Sequence, residues 1–346
     1  MATLYIDHAG LDLRPEKGAL VIYQDGRRIR TVPFALLERV VIQSETSIPS
    51  KLLCALAEAG IGLAILGRRP ERAVFMLGRP HADARIRLAQ ARQFYELWRE
   101  PYPRPQDACN QPVLAARMAM RFIAAKLSAC RRTLEIIRRL RGDSAPGYAL
   151  QAGLESLASL QEKLMRLPAC SAATLLGIEG AAASAYYPAL SACFAPGLNF
   201  CGRNRRPPRD PVNAVLSLAY TLLHFDAVRA AHAAGLDAQI GFFHTPAYGR
   251  ESLASDLIEP LRPRADFWVW KLFRDGQLRK EHFTGEAQGI YLGKTGRQRF
   301  YESYEAAVPL WRRWLRRAAY GLVAALKTQA LPRIAGRWEG EWECEL

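Results

Sequence analysis

Near Gly78-Arg79-Pro80 the hydrophobic pattern of this chain changes period, and that change constrains the fold more than any other feature. Before it, short β-rich runs recur: Leu4-Tyr5-Ile6, Ala19-Leu20-Val21-Ile22-Tyr23 and Val40-Val41-Ile42. Asp25-Gly26 lies where a hairpin turn needs positive φ. A short helix is expected from Pro49 to Ala59, with Pro near its start and Gly60 just past its end, and then a strand from Ile61 to Leu66. After the break the spacing is helical: Ala82 to Trp98, then, beyond a Pro-rich loop from Pro101 to Pro112, Ala115 to Arg141. A further helix shows both ends, with Asp210 as its cap, Pro211 in its first turn and Gly235 as its stop. The expectation is an α+β chain: a small β-rich N-terminal domain, residues 1–80, followed by a larger all-α domain, residues 81–346. Its brief strands leave edges that a second copy could cover, so the first domain is expected to dimerise.

Charge narrows the partners. A formal net charge of +15 favours a polyanion such as nucleic acid, or an acidic membrane surface. Arg117, Arg121, Lys126, Arg131, Arg132, Arg138, Arg139 and Arg141 all fall in one helix, which reads equally as a solvated face or as a DNA-binding stripe. The stretch from Leu167 to Gly202 is almost uncharged, but Pro188, Pro196 and Glu179 argue against a membrane span. The N-terminus has no signal-peptide pattern, so a cytoplasmic address is expected. Seven cysteines, with no Cys-x-x-Cys, argue against a disulfide framework and a structural zinc site.

Four segments carry chemistry. Glu179 is the only formally charged side chain between Arg166 and Arg203; Gly177 and Gly180 beside it would let a ligand or another chain approach. An ordinary surface glutamate is the competing reading. Gly241-Phe242-Phe243-His244 supplies one imidazole. In Ser252 to Glu259, helical spacing places Asp256 and Glu259 on neighbouring faces, where they repel unless a cation intervenes; a solvated acidic face is the alternative. If these carboxylates converge, the cluster is expected to be repulsive, so that neutralising one costs little stability. Carboxylates plus one imidazole suit Mg²⁺ or Mn²⁺, which serve phosphoryl chemistry. Finally, Arg203, Arg205 and Arg206 lie in a Pro-bounded loop that suits phosphate contact, or pairing with acidic neighbours.

The order of three blocks is diagnostic. Leu175-Leu176-Gly177-Ile178-Glu179-Gly180 comes first, then the Arg-rich loop running into Asp210-Pro211-Val212-Asn213, then Gly241 to Glu259. Together they resemble the CRISPR-associated spacer-acquisition endonuclease family, the integrase subunit of CRISPR adaptation. The resemblance implies a metal site of Glu179, His244 and Glu259, with Asp256 as an accessory acidic position. It also implies a homodimer that joins a small ferredoxin-like partner and inserts short DNA fragments at a CRISPR repeat by 3′-hydroxyl transesterification. Two other readings stay open: a metal-dependent nuclease on branched DNA, and a non-catalytic DNA-binding scaffold with a structural acidic cluster.

Overall fold

The computed structural model describes residues 2–66, 73–77, 83–98, 114–142, 146–167, 172–204, 207–244, 247–286 and 289–328. It divides into two compact units, one of residues 1–82 with 301–306, the other of the remainder.

The first unit holds two sheets. Strands β1 (Ala2–Ile6), β5 (Leu37–Ile42), β6 (Gly62–Ile65) and β7 (Val74–Met76) form one in the order β1-β5-β6-β7, parallel except for the β6–β7 pair. Strands β2 (Leu11–Glu16), β3 (Ala19–Gln24) and β4 (Arg27–Pro33) form an antiparallel meander. Asp25 and Gly26 both take positive φ (50° and 76°), as the expected hairpin turn requires, and the turn joins β3 to β4. Helix α1 (Ser50–Glu58) lies between Pro49 and Gly60 as the sequence indicates. Leu4, Ile6, Leu13, Leu20, Ile22, Val40, Ile42, Leu52 and Leu63 form the core of this unit. β2 and β4 were not expected. Pro15 and alternating charges disguise β2, and β4 is an exposed edge strand rich in arginine, a composition that discourages edge-to-edge pairing.

Within the same unit Arg39 is fully buried. Its Nε donates to Thr3 Oγ1 (2.8 Å) and its Nη2 to Glu305 Oε1 (2.9 Å), which also accepts from the Tyr5 hydroxyl (2.6 Å). Tyr5 stacks on Tyr301 with ring centroids 4.0 Å apart.

The second unit is mostly helical: α2 (Ala84–Trp98), α3 (Leu114–Arg141), α4 (Gly147–Arg166), α5 (Ala172–Ser191), α6 (Pro211–Ala233), α7 (Ser252–Ile258), α8 (Arg262–Arg274) and α9 (Lys294–Thr328). The expectation of an all-α domain is amended by one antiparallel hairpin, β8 (Phe283–Glu286) and β9 (Gly289–Leu292). The expected loop at 101–112 lies outside the described residues. α6 is buried nearly all round, which marks it as a central helix. Asp210 caps it by accepting from the Asn213 backbone N–H at 2.8 Å. At its other end Leu236 N donates to Ala231 O (2.9 Å) and Gly235 N to His232 O (3.0 Å), with Gly235 at φ +83°, a Schellman closure. α3 packs against α4, α5 and α8, while α6 packs against α7 and α8, and this arrangement frames the site. Among the described residues no helix is long and apolar enough to cross a membrane. Cys54, Cys130, Cys193 and Cys201 are free thiols.

Candidate metal and DNA-processing site

Three helices and one loop bring the acidic residues together. Gly241 permits the closest approach: a Cβ there would lie 2.9 Å from both Asp256 Oδ2 and Ser252 Cβ. Because the backbone passes so near α7, the N–H groups of Phe242 (2.6 Å) and Phe243 (3.0 Å) donate to Asp256 Oδ2, and that of His244 (2.9 Å) to Oδ1. His244 Nδ1 also meets Asp256 Oδ1 at 2.7 Å. A buried carboxylate there favours the tautomer with hydrogen on Nδ1, which leaves a lone pair on Nε2. That Nε2 lies 4.0 Å from Glu259 Oε1.

Glu259 sits where α7 tightens into the 3-10 turn of Glu259–Leu261. Its Oε1 accepts from Arg262 Nε at 2.9 Å, one turn on. Its Oε2 lies 2.6 Å from the Lys126 ammonium, yet that buried oxygen has no hydrogen bond of suitable alignment. The same ammonium donates to Glu179 Oε1 from α5. Lys126 therefore stands between the two glutamates. Burial raises the Glu259 carboxyl, but the charges of Arg262 and Lys126 outweigh it and hold the group well below the usual carboxylate range. Burial likewise lowers Lys126, and Glu259 and Glu179 more than reverse it.

A second layer lies behind Arg262. The guanidinium groups of Arg262 and Arg203 stand 4.7 and 5.3 Å from the Tyr220 ring centroid. The Tyr220 hydroxyl donates to the buried Asp266, and so does that of Tyr186 at 3.0 Å. Burial pushes the Asp266 carboxyl up to about 6, against the pull of these hydrogen bonds.

The structure thus brings Glu179, His244, Asp256 and Glu259 into one cluster. It overturns the expectation of uncompensated repulsion there, because Lys126 and Arg262 supply the counter-charges. Among the described residues no three His, Cys, Asp or Glu side chains are placed to enclose a metal ion as they stand; the ammonium separates the two glutamates. On the same helix as Glu179, a Cβ on Gly177 or Gly180 would meet nothing within 4 Å. Arg203, expected at phosphate, is engaged within the protein. It folds back onto α6, donating to Asn213 Oδ1 (2.7 Å) and Ser217 Oγ (3.0 Å). Arg205 and Arg206 lie outside the described residues. Lys126 and Arg262 were missed as site residues. The signal for Lys126 was its place on the apolar face of α3, flanked at helical spacing by the buried Phe122, Ile123 and Cys130.

The family model for CRISPR associated protein Cas1 matches residues 4–306. The chain belongs to the Cas1 family. A curated Cas1 relative, a CRISPR-associated endonuclease from Thermodesulfovibrio yellowstonii, is 34% identical over 320 residues, covering 90% of this chain and 94% of that one. The Cas1 fold recurs in a casposase bound to an integration product (TM-score 0.77, 19% identity, 98% of this chain and 95% of that one). It recurs again in a Cas6-RT-Cas1–Cas2 complex (TM-score 0.78, 21% identity), where this Cas1 chain is covered to 98% and spans 36% of the matched chain.

Proposed function

We propose that this Cas1 protein is a metal-dependent DNA endonuclease and integrase that inserts short DNA fragments into a CRISPR array. The observation that carries the reading is the meeting of Glu179 and Glu259, from separate segments, on the Lys126 ammonium, with His244 Nε2 4.0 Å from the other oxygen of Glu259. The residues fit a divalent ion. Glu259 Oε2 is buried without an aligned hydrogen bond, His244 Nε2 has a lone pair, and two carboxylates already share one positive charge. Glu179, His244 and Glu259 would hold Mg²⁺ or Mn²⁺, which supplies Lewis-acid polarisation of a phosphate and relief of charge in the transition state.

The chain's own residues do the rest. Asp256 fixes the ring of His244 and its tautomer; Arg262, packed on Tyr220, fixes the Glu259 carboxylate. Glu179, with its side chain 28% exposed, is the member of the cluster that a DNA backbone can reach, and the net charge of +15 favours its approach. In the joining step the fragment's 3′-hydroxyl oxygen forms a bond to phosphorus at the repeat boundary. The existing P–O bond breaks, and the departing 3′-oxygen takes up the proton lost by the attacking hydroxyl. In addition to DNA, we propose a homodimer built through the N-terminal unit, with its exposed edge strand β4, and a small ferredoxin-like adaptation partner. The likeness of fold to a Cas6-RT-Cas1–Cas2 complex and to a casposase bound to an integration product supports an adaptation partner and DNA joining.

The ion pairs of Lys126 and Arg262 also suit a second reading, a DNA-binding scaffold whose acidic cluster is structural. Joining of a short duplex to a supercoiled plasmid in Mn²⁺ separates the two. Joining by the wild type, lost in Glu179→Gln and Glu259→Gln with DNA affinity retained, supports the enzyme. Equal joining by all three proteins removes the metal site, and no joining by the wild type favours the scaffold.

A further inference from the structure

Two carboxylates side by side in a partly buried site repel unless one is protonated or a cation lies between them. In this protein the cation is built in. Lys126 projects from the apolar face of α3, its side chain only 11% exposed, and its nitrogen contacts Glu179 Oε1 and Glu259 Oε2 at once. We propose that Lys126 is the resident counter-cation of the site, a residue that occupies the place between Glu179 and Glu259 and is displaced from it when a divalent ion enters. The inference rests on the metal-ligand reading above and adds a residue that the ligand set does not contain.

The geometry favours displacement over sharing. A nitrogen 2.6 Å from Glu259 Oε2 stands on the oxygen that a metal would take, since divalent ions bind carboxylate oxygen at about 2.0–2.6 Å. Ammonium and metal would then be like charges within one short contact. The remaining anchors do not need Lys126. Oε1 of Glu259 is held by Arg262, and His244 by Asp256, so both ligands keep their places when the ammonium leaves. Metal binding thus competes with an internal cation, and metal affinity is set partly by how firmly Lys126 is held.

The test is calorimetric Mn²⁺ titration of the full-length wild type and of Lys126→Met and Lys126→Gln, with melting of each in EDTA and in Mn²⁺. Removing the competitor should tighten Mn²⁺ binding about tenfold or more, lower the melting temperature in EDTA, and enlarge the stabilisation by Mn²⁺. A purely structural lysine predicts the opposite, weaker binding through a loosened site. Unchanged or weaker Mn²⁺ affinity in folded variants overturns the proposal while leaving the metal site standing. Should neither variant fold, wild-type crystals soaked in Mn²⁺ decide. An anomalous peak among Glu179, His244 and Glu259, with the Lys126 nitrogen withdrawn from at least one glutamate, supports displacement. A peak with the nitrogen still contacting both refutes it. No Mn²⁺ binding by the wild type, in solution or in crystals, overturns the proposal and the metal reading together.

Discussion

Oδ1 of Asp256 lies 2.7 Å from Nδ1 of His244 and 2.9 Å from the backbone nitrogen of the same residue. One oxygen thus sets both the ring and the main chain that carries it, while Oδ2 takes the N–H groups of Phe242 and Phe243. The sequence suggested an accessory metal ligand at this position. With both oxygens engaged by the protein, we assign Asp256 to orienting His244 instead.

Asp256→Asn should consequently be costly. An amide nitrogen would confront backbone donors, and charge-assisted hydrogen bonds would be lost, for about 2–4 kcal/mol. Urea unfolding checks this. A loss below about 0.5 kcal/mol would show that the loop of 241–244 does not depend on this carboxylate.

Neutralising Glu259 leaves Lys126 and Arg262 facing an uncharged amide in a buried site. Glu259→Gln should lose roughly 3–5 kcal/mol when melted in EDTA. Glu179, whose side chain is 28% exposed, should lose less on change to Gln, about 1–2 kcal/mol. Equal or increased stability of Glu259→Gln would restore the repulsive cluster expected from sequence.

Asp266 gives a pH signature. Its pKa is raised from 3.8 in the unfolded chain to about 6, chiefly by burial. Between these values the native state binds more protons than the unfolded state, so stability falls as pH rises through about 4 to 6, by up to ~3 kcal/mol from this group. The cost is absent below that window and complete above it. Asp266→Asn should remove this slope, so its stability relative to wild type should improve between pH 4.5 and 7. A difference independent of pH would place Asp266 at an ordinary carboxylate value.

Arg203 and its loop neighbours should separate in DNA binding. Arg203→Ala, which loses its bonds to Asn213 and Ser217, should cost about 1–2 kcal/mol of stability and leave the salt dependence of binding unchanged. Replacing Arg205 and Arg206 should lower the slope of log K against log salt by about 0.9 per lost phosphate contact. A reduced slope for Arg203→Ala alone would return it to the interface.

Much of this was legible in sequence for identifiable reasons. Asp25-Gly26, Asp210-Pro211 and Gly235 act through local backbone preference, and each forms the turn, cap or stop that its chemistry dictates. Glu179, His244 and Glu259 stood out because the order of their segments is distinctive, although only the fold brings them together. What escaped notice depended on partners distant in the chain. Lys126 falls in a basic run that reads as a solvated face or a DNA-binding stripe, although Phe122, Ile123 and Cys130 place it on the buried face. Arg262 needed a packed Tyr220, and the role of Asp256 needed the close pass of Gly241, which no periodicity encodes.

The burial of Arg39 has a consequence for the order of synthesis. Its guanidinium and the Tyr5 hydroxyl share Oε1 of Glu305, in the short segment 301–306 that completes the first unit. The ribosome releases residues 1–82 early, but that carboxylate only when most of the chain has been made. Until then the nascent first unit lacks the carboxylate that receives the Arg39 guanidinium and the Tyr5 hydroxyl, so its final closure belongs to the end of translation. A fragment ended near residue 82 would stop the molecule at that unfinished stage.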